Sequence, residues 1–273
     1  MRILVFGSSG EMVGTDGPDG STVDQICAGV RRHTGDPVEG HTAFAYPNEA
    51  LARHVANTFD RVEPDIVVLH CRSAPVRDLS LDLGLRRRFG GSVPKPIDTA
   101  RDLARRVTHY NTTSGVDRQH GLGASIYGAV RDALLLAGLG ATPSSVAETV
   151  AVYDDVIRLL VARECLLVVV GPASTYAVLK SARLQRQKLQ RLQALERGLE
   201  AICRARRVPY CQVLTTVAAN PERYLGPDRS HRSGAGATLR AEATLKVLLP
   251  LLPTAGGSEP APHGVLRSGS RPR

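Results

Sequence analysis

Three short, largely apolar runs constrain the fold of this chain more than any other feature of its sequence. They cover residues 2–6, 64–69 and 165–170, and glycine or polar residues follow each of them. A run of consecutive apolar residues without polar alternation is typical of a strand that is buried on both faces. Because segments of helical spacing separate the runs, the sequence predicts the α/β class, with a parallel sheet covered by helices on both faces.

Other segments fit the same pattern. Ser21 and Asp24 have the spacing of a capping box, so a helix is expected to begin there. A short strand is expected within 38–45, and a last strand over 208–214 precedes the final helix. Helical spacing of apolar residues also predicts helices near 48–62, 98–108, 124–137, 144–162 and 176–206. Right-handed crossovers place the carboxyl ends of parallel strands at one edge, where open α/β sheets bind ligands.

The domain organisation predicted from composition is simple. Residues 1–253 are expected to form one α/β domain, in which the less regular stretch 74–140 shapes the pocket. Residues 254–273 are rich in Gly, Pro, Ser and Arg without periodicity, which is typical of a disordered tail. No apolar run approaches the ~20 residues that a membrane span needs, so no membrane association is expected.

The cysteines and the first residues bear on localisation. The five cysteines form an odd set without C-x-x-C spacing, which favours free, mostly buried thiols over a metal site or disulfides. The chain begins directly with a strand pattern, so no secretion signal is expected. A cytoplasmic location is the corresponding prediction.

The net charge of +9 is concentrated in two segments. Residues 86–106 hold seven basic residues against two acidic ones, and residues 180–207 hold nine against two. With no tryptophan and 4% aromatic residues, the chain has few stacking platforms, which disfavours nucleic-acid binding. The favoured interpretation is solvated helix faces; an anionic substrate or an acidic partner is the open alternative.

The turn after the first strand raises a choice between two ligand classes. Gly7, Gly10 and Gly14 resemble a loose dinucleotide fingerprint, but that motif needs a helix whose N-terminus meets the pyrophosphate. Here the predicted helix begins only at Ser21, after a long acidic loop, so a phosphate cradle is disfavoured. The alternative is that Ser9 in this turn is a nucleophile.

A serine nucleophile needs a base and an acid that orients the base. Asp228 lies three residues before His231, on a turn that enters the final helix. A carboxylate so placed can hold the imidazole in the tautomer whose Nε2 accepts a proton from a serine. If both loops lie at the same sheet edge, Ser9, His231 and Asp228 form a catalytic triad.

These stretches resemble two sequence blocks of the SGNH, or GDSL-type, hydrolase family. Residues 3–9, Ile-Leu-Val-Phe-Gly-Ser-Ser, resemble the first block, and residues 227–236 resemble the last block, Asp-x-x-His before a small-residue helix start. The similarity extends over about 1–70 and 145–252. It implies a three-layer α/β/α sandwich with a mainly parallel, flavodoxin-like sheet, and neither metal nor cofactor.

The resemblance also implies roles for individual residues. Ser9 would be the nucleophile, His231 the general base and then acid, and Asp228 its orienting partner. The implied reaction is hydrolysis of an ester or acylated small molecule through an acyl-enzyme, as in serine esterases. Two alternatives stay open: an acyltransferase that uses the same site, and a non-catalytic binding protein with a degraded oxyanion hole.

The chain departs from the family at the third block. Where the family has Gly-x-Asn-Asp, this sequence has residues 70–73, His-Cys-Arg-Ser, without the asparagine that helps to bind the oxyanion. Losing one such donor typically costs about 3 kcal/mol of transition-state stabilisation. Arg72 could replace that donor, bind a substrate carboxylate or phosphate, or form a surface ion pair. His70 is a substrate contact or a structural histidine, and Gly40 is the nearest candidate for the second-block glycine.

Overall fold

Parallel strands form the centre of the protein, which is described here from a computed structural model. The structure describes residues 1–7, 20–77, 79–90, 129–130, 132–172, 181–225 and 233–254. The strands of this part are β1 (Arg2–Gly7), β2 (Glu39–Phe44), β3 (Ile66–His70), β4 (Leu166–Val170) and β5 (Tyr210–Cys211). Their order in the sheet is β2-β1-β3-β4-β5, with parallel pairing throughout. This is the flavodoxin-type order, so the predicted fold class is confirmed.

Helices connect the strands in the alternation that the sequence predicts. Those in the described part are α1 (Thr22–Thr34), α2 (Leu51–Val62), α3 (Ala74–Arg77), α4 (Leu81–Phe89), α5 (Val146–Val161), α6 (Ala182–Ala205), α7 (Leu214–Ala219), α8 (Pro221–Tyr224) and α9 (Gly234–Leu248). A π-helical turn covers Leu135–Leu139, and a 3-10 turn covers Leu249–Leu251.

Alternate residues of each strand enter two separate apolar cores. Ile3 and Val5 of β1 pack with residues of α1 and α9 on one face of the sheet. Leu4 and Phe6 pack with residues of α2, α5 and α6 on the other face. The protein is therefore a three-layer α/β/α sandwich, and the strands are apolar on both sides because both sides are covered.

The capping box predicted at the start of α1 is confirmed. Asp24 N donates to Ser21 Oγ (3.2 Å), and Ser21 N donates to an Asp24 carboxylate oxygen (2.9 Å). Gly35 ends the helix in the left-handed region, at φ +76°. The start and end of this helix are therefore set by its own sequence.

The last strand is shorter than predicted. Only Tyr210–Cys211 of the predicted strand 208–214 pairs with β4, and α7 begins at Leu214. The predicted helix 98–108, most of the stretch 74–140 and the tail from residue 255 lie outside the described residues. The single domain 1–253 therefore stays a prediction.

The basic segment 180–207 is largely the helix α6, which serves as a packing element. Its leucines at 192, 195 and 199 are buried as predicted. Two of its arginines form ion pairs, Arg204 with Glu200 and Arg206 with Asp154, each at 2.8 Å. The described helices include none that is long and apolar enough to cross a bilayer. All five cysteines are free, and four of them are buried.

Gly40 is a packing residue of β2 in this structure. Gly40 pairs with Ile3, which is four residue pairs before the last pair of these strands, Gly7–Phe44. This register places Gly40 roughly 13 Å from the carboxyl edge of the sheet. A Cβ atom on Gly40 would lie 2.7 Å from Cys27 Sγ and 2.8 Å from Val23 Cγ1. The close approach of α1 to the sheet therefore accounts for a glycine at this position.

We expect Gly40→Ala to lower the free energy of unfolding by about 1–3 kcal/mol, because the added methyl group must push α1 away from β2. Urea unfolding at equilibrium measures this loss. Gly234→Ala is the matched control, since a Cβ there meets nothing within 4 Å. We expect the control to unfold at the parent concentration of urea or slightly above it. Equal stability of the two variants would contradict the packing role.

Candidate functional site

The carboxyl ends of the strands meet at one edge of the sheet. Ala45 N donates to Gly7 O (2.8 Å), which joins the end of β2 to the end of β1. Cys71 N donates to Val170 O (2.8 Å) and so joins the ends of β3 and β4. Because β1 lies between β2 and β3, the chain leaves the sheet at Gly7 between the ends of these two strands.

The three residues predicted to form the triad lie outside the described residues. Ser9 falls within the segment 8–19, and Asp228 and His231 fall within 226–232. The residues that flank these segments are described, so the structure shows where each segment leaves and re-enters the fold.

The flanking residues converge. Glu39, the first residue of β2, donates through its backbone N to Met1 O, so β2 begins at the amino edge of the sheet. Helix α1 ends shortly before β2, at that same edge. The helix therefore begins at the opposite, carboxyl edge. Thr22 Oγ1 in the first turn of α1 lies 3.5 Å from Ala237 O in the first turn of α9. Ser233, the N-cap of α9, donates through its backbone N to Tyr224 O (3.1 Å). The segment that holds Ser9 and the segment that holds His231 therefore join the fold at neighbouring positions.

Arg72 reaches across this edge. It follows β3, yet its guanidinium carbon lies 4.6 Å from the ring centre of Phe44 and 5.4 Å from that of Tyr46, at the end of β2. Two strand spacings separate β3 from β2, which amounts to about 10 Å. The side chain therefore reaches past the end of β1, the strand that lies between β3 and β2.

The peptide of Arg72 is held from below by Tyr153 of α5. Arg72 N donates to Tyr153 Oη (2.6 Å), and the hydroxyl lies 3.4 Å from Arg72 O, to which it donates. Tyr153 is completely buried. Burial raises the pKa of Tyr153 well above its usual value, so the hydroxyl keeps the proton that it donates.

The charge of Arg72 has no acidic partner among the described residues. Its Nη1 is buried and makes no hydrogen bond to this part of the chain. Three other arginines, at 158, 163 and 206, do pair with aspartates. The structure thus does not show Arg72 in the surface ion pair that was one of its expected roles.

His70 is a buried histidine behind the edge. It is 1% exposed, and its Nδ1 lies 3.2 Å from Arg240 Nη1 of α9. A guanidinium can only donate, so Nδ1 is the acceptor in this contact. Of the two roles expected for His70, this contact supports the structural one. It also brings a second arginine close to the site.

Cys71 lies between His70 and Arg72 in the sequence, and its thiol has the wrong protonation state for a nucleophile. It is 2% exposed. Burial raises the pKa of the Cys71 thiol well above its usual value, with a smaller contribution from Cys203. A thiol that stays protonated at neutral pH is a poor nucleophile, so the chemistry of this edge does not depend on Cys71.

The sequence analysis missed three residues of this edge. Phe44 lies near the end of a stretch predicted to contain a strand and Tyr46 directly after it, and this position was the available signal. Tyr153 lies 81 residues from Arg72, and nothing in its own segment indicates the contact. In the described part of the chain, no group of three or more His, Cys, Asp or Glu residues is placed to hold a metal ion.

Comparison with known proteins shows which fold this is. No protein-family model and no curated protein sequence matches the chain. Among solved structures, it is similar to a lipase/acylhydrolase from Enterococcus faecalis, with 14% identity and a TM-score of 0.53 over 94% of this chain and 99% of that one. It is also similar to the lipase Lip_vut3 from a goat rumen metagenome, with 11% identity and a TM-score of 0.52 over 91% and 98% of the two chains.

A third similar structure is a catalytic mutant of Axe2, an acetylxylan esterase from Geobacillus stearothermophilus. It has 12% identity and a TM-score of 0.52, over 90% of this chain and 93% of that one. At such identities the similarity concerns the fold, and the fold is the SGNH type that the first and last sequence blocks predict.

We expect Tyr153→Phe to destabilise the protein by about 1–3 kcal/mol, because the backbone N–H of Arg72 would lose its acceptor in a partly buried position. Urea unfolding measures the loss. Tyr224→Phe is the control, since its hydroxyl makes no hydrogen bond to a described residue, and it should change stability by less than about 0.5 kcal/mol. A Tyr153→Phe protein as stable as the parent would show that this anchor contributes nothing.

Proposed function

We propose that the protein is a serine hydrolase that cleaves an ester or another acylated small molecule. The observation that supports this most is the convergence at the sheet edge. Gly7 leads into the segment with Ser9, and Ser233 closes the segment with Asp228 and His231, next to the first turn of α1. The solved structures with the same fold include lipases and acetylxylan esterases, which adds support from analogy.

The proposed mechanism uses the three residues in the order that serine chemistry requires. His231 Nε2 takes the proton of Ser9 Oγ while the oxygen attacks the acyl carbon, and the same ring then protonates the departing alcohol. Asp228 accepts from the other ring nitrogen and stabilises the imidazolium. Water, deprotonated by His231, then attacks the acyl-enzyme, releases the acid and restores the serine.

The oxyanion of the tetrahedral intermediate needs donors at the same edge. The backbone N–H of Ser9 is one candidate. Gly40, the expected second-block glycine, lies four residue pairs from the carboxyl edge and is not part of this proposal. A site with fewer donors than usual is expected to be slower, at roughly 100-fold or more per missing donor.

A second function is favoured by one observation. The stretch 70–73 contains a buried histidine and a buried protonated thiol in place of the asparagine block. An edge so changed suits a protein that binds a ligand without cleaving it.

Transfer of the acyl group to an alcohol or amine is a variant of the leading proposal and uses the same acyl-enzyme.

We expect a fluorophosphonate probe to label the folded parent protein at Ser9. Ser9→Ala should abolish labelling, and His231→Ala should slow it by at least about 1,000-fold, because the hydroxyl then has no base. Intact-protein mass spectrometry with peptide mapping measures both results.

Ser8→Ala is the matched control, since it removes the neighbouring hydroxyl from the same turn and should leave labelling in place. Labelling that persists in Ser9→Ala would make the nucleophile assignment wrong. Absence of labelling in a folded parent would instead favour the non-catalytic binding protein.

A further inference from the structure

We propose that Arg72 binds a permanent anionic group of the substrate, a carboxylate or a phosphate, next to the reacting ester. This inference deepens the proposed function and rests on it in one respect, namely that the bound anion belongs to a substrate. The binding of an anion at Arg72 rests on the described residues alone. Four observations carry it: the fixed position of the side chain, its lack of an acidic partner among the described residues, the exposed rings beside it, and the position of its head group at the end of β2.

The guanidinium is fixed at both ends of its side chain. Tyr153 holds the peptide through two hydrogen bonds, of 2.6 and 3.4 Å. Phe44 and Tyr46 hold the head group through cation–π contacts at 4.6 and 5.4 Å. An arginine held in place in the free protein loses little conformational entropy when a ligand binds, which favours affinity.

The charge of this head group is not neutralised within the described part of the chain. Its Nη1 is buried and has no hydrogen-bond partner there. A buried donor without an acceptor is unfavourable, and an oxyanion that accepts from it would remove this penalty.

The two aromatic rings are open to a ligand. Phe44 is 42% exposed and Tyr46 is 37% exposed, and both belong to the small group of large apolar side chains exposed in the described part. An exposed ring next to a cation offers an apolar wall and an anion-binding group together. A small organic molecule with an acidic end fits this combination better than a neutral ester does.

The position of the head group separates a substrate anion from the reaction's own oxyanion. In the proposed mechanism the reacting carbonyl lies at Ser9, in the segment that follows β1. The guanidinium carbon lies 4.6 Å from the ring centre of Phe44, the last residue of β2, and β2 is one strand spacing, about 4.8 Å, from β1. This contact holds the head group against a residue of β2, where it can meet a charged group elsewhere on the ligand. We therefore assign Arg72 to substrate binding and not to the oxyanion hole.

The catalytic test compares two esters that share a leaving group. One is neutral, 4-nitrophenyl acetate, and the other is anionic, mono-4-nitrophenyl succinate. We expect Arg72→Gln to lower the ratio of their kcat/KM values, anionic over neutral, by about 10- to 100-fold, mainly through KM of the anionic ester. Arg72→Lys should fall in between, because it keeps the charge and loses the fork of donors.

Arg204→Gln is the matched control. It removes the same charge from an exposed arginine of α6, which pairs with Glu200. The ratio for this variant should equal that of the parent. If Arg72→Gln instead lowers kcat for both esters by the same factor, Arg72 is an oxyanion donor and the inference is overturned while the proposed function stands.

A binding test needs no catalysis. Succinate and inorganic phosphate are titrated into the parent, Arg72→Gln and Arg204→Gln by calorimetry at constant ionic strength. We expect at least one of the two anions to bind the parent and the control, and to bind Arg72→Gln at least tenfold more weakly. The tighter anion identifies the chemistry as carboxylate or phosphate.

The two tests separate the two proposals. Arg72-dependent anion binding by a parent that cleaves neither ester would support this inference and overturn the hydrolase. Anion binding that is equal in the parent and Arg72→Gln, or absent from both, would overturn the inference whatever the esterase activity.

Discussion

Burial of the sheet on both faces is the constraint on which the rest of this structure depends. The strands β1, β3 and β4 carry apolar residues on both sides, so each side must be covered by helices. Parallel strands with helical crossovers then place every carboxyl end at one edge. The candidate site residues of this chain follow those ends. Positions as distant in sequence as 22 and 237 therefore meet there.

That edge is an unusual environment for a cation. Arg72 stands where the SGNH family has an asparagine, and the structure fixes it with two aromatic rings above and a buried tyrosine below. In the described residues nothing acidic neutralises it. An uncharged donor would suffice for an oxyanion alone, whereas a fixed, full charge suits a ligand that is anionic before reaction begins. The same residue thus departs from one expectation of the family resemblance and is the basis for the proposed anionic substrate.

The sequence predicted the parts of the fold that depend on local signals. Continuous apolar runs predicted β1, β3 and β4, and the Ser21 capping box predicted the start of α1. The last strand was predicted too long because the buried apolar residues at 213 and 214 form the start of α7 and do not pair with β4. The position of Gly40 depends on strand register, and the anchor at Tyr153 depends on two segments 81 residues apart, so no local pattern could reveal either.

The central claim is that the segments containing Ser9 and His231 meet beyond the end of β1. A crystal structure of the full chain that resolves both loops tests it most directly, through the distance from Ser9 Oγ to His231 Nε2. The account predicts a hydrogen bond at about 2.6–3.2 Å, somewhat longer without substrate, with Asp228 against the other ring nitrogen. A histidine ring turned away from Ser9, with the two atoms too far apart for a hydrogen bond or a single bridging water, would contradict it.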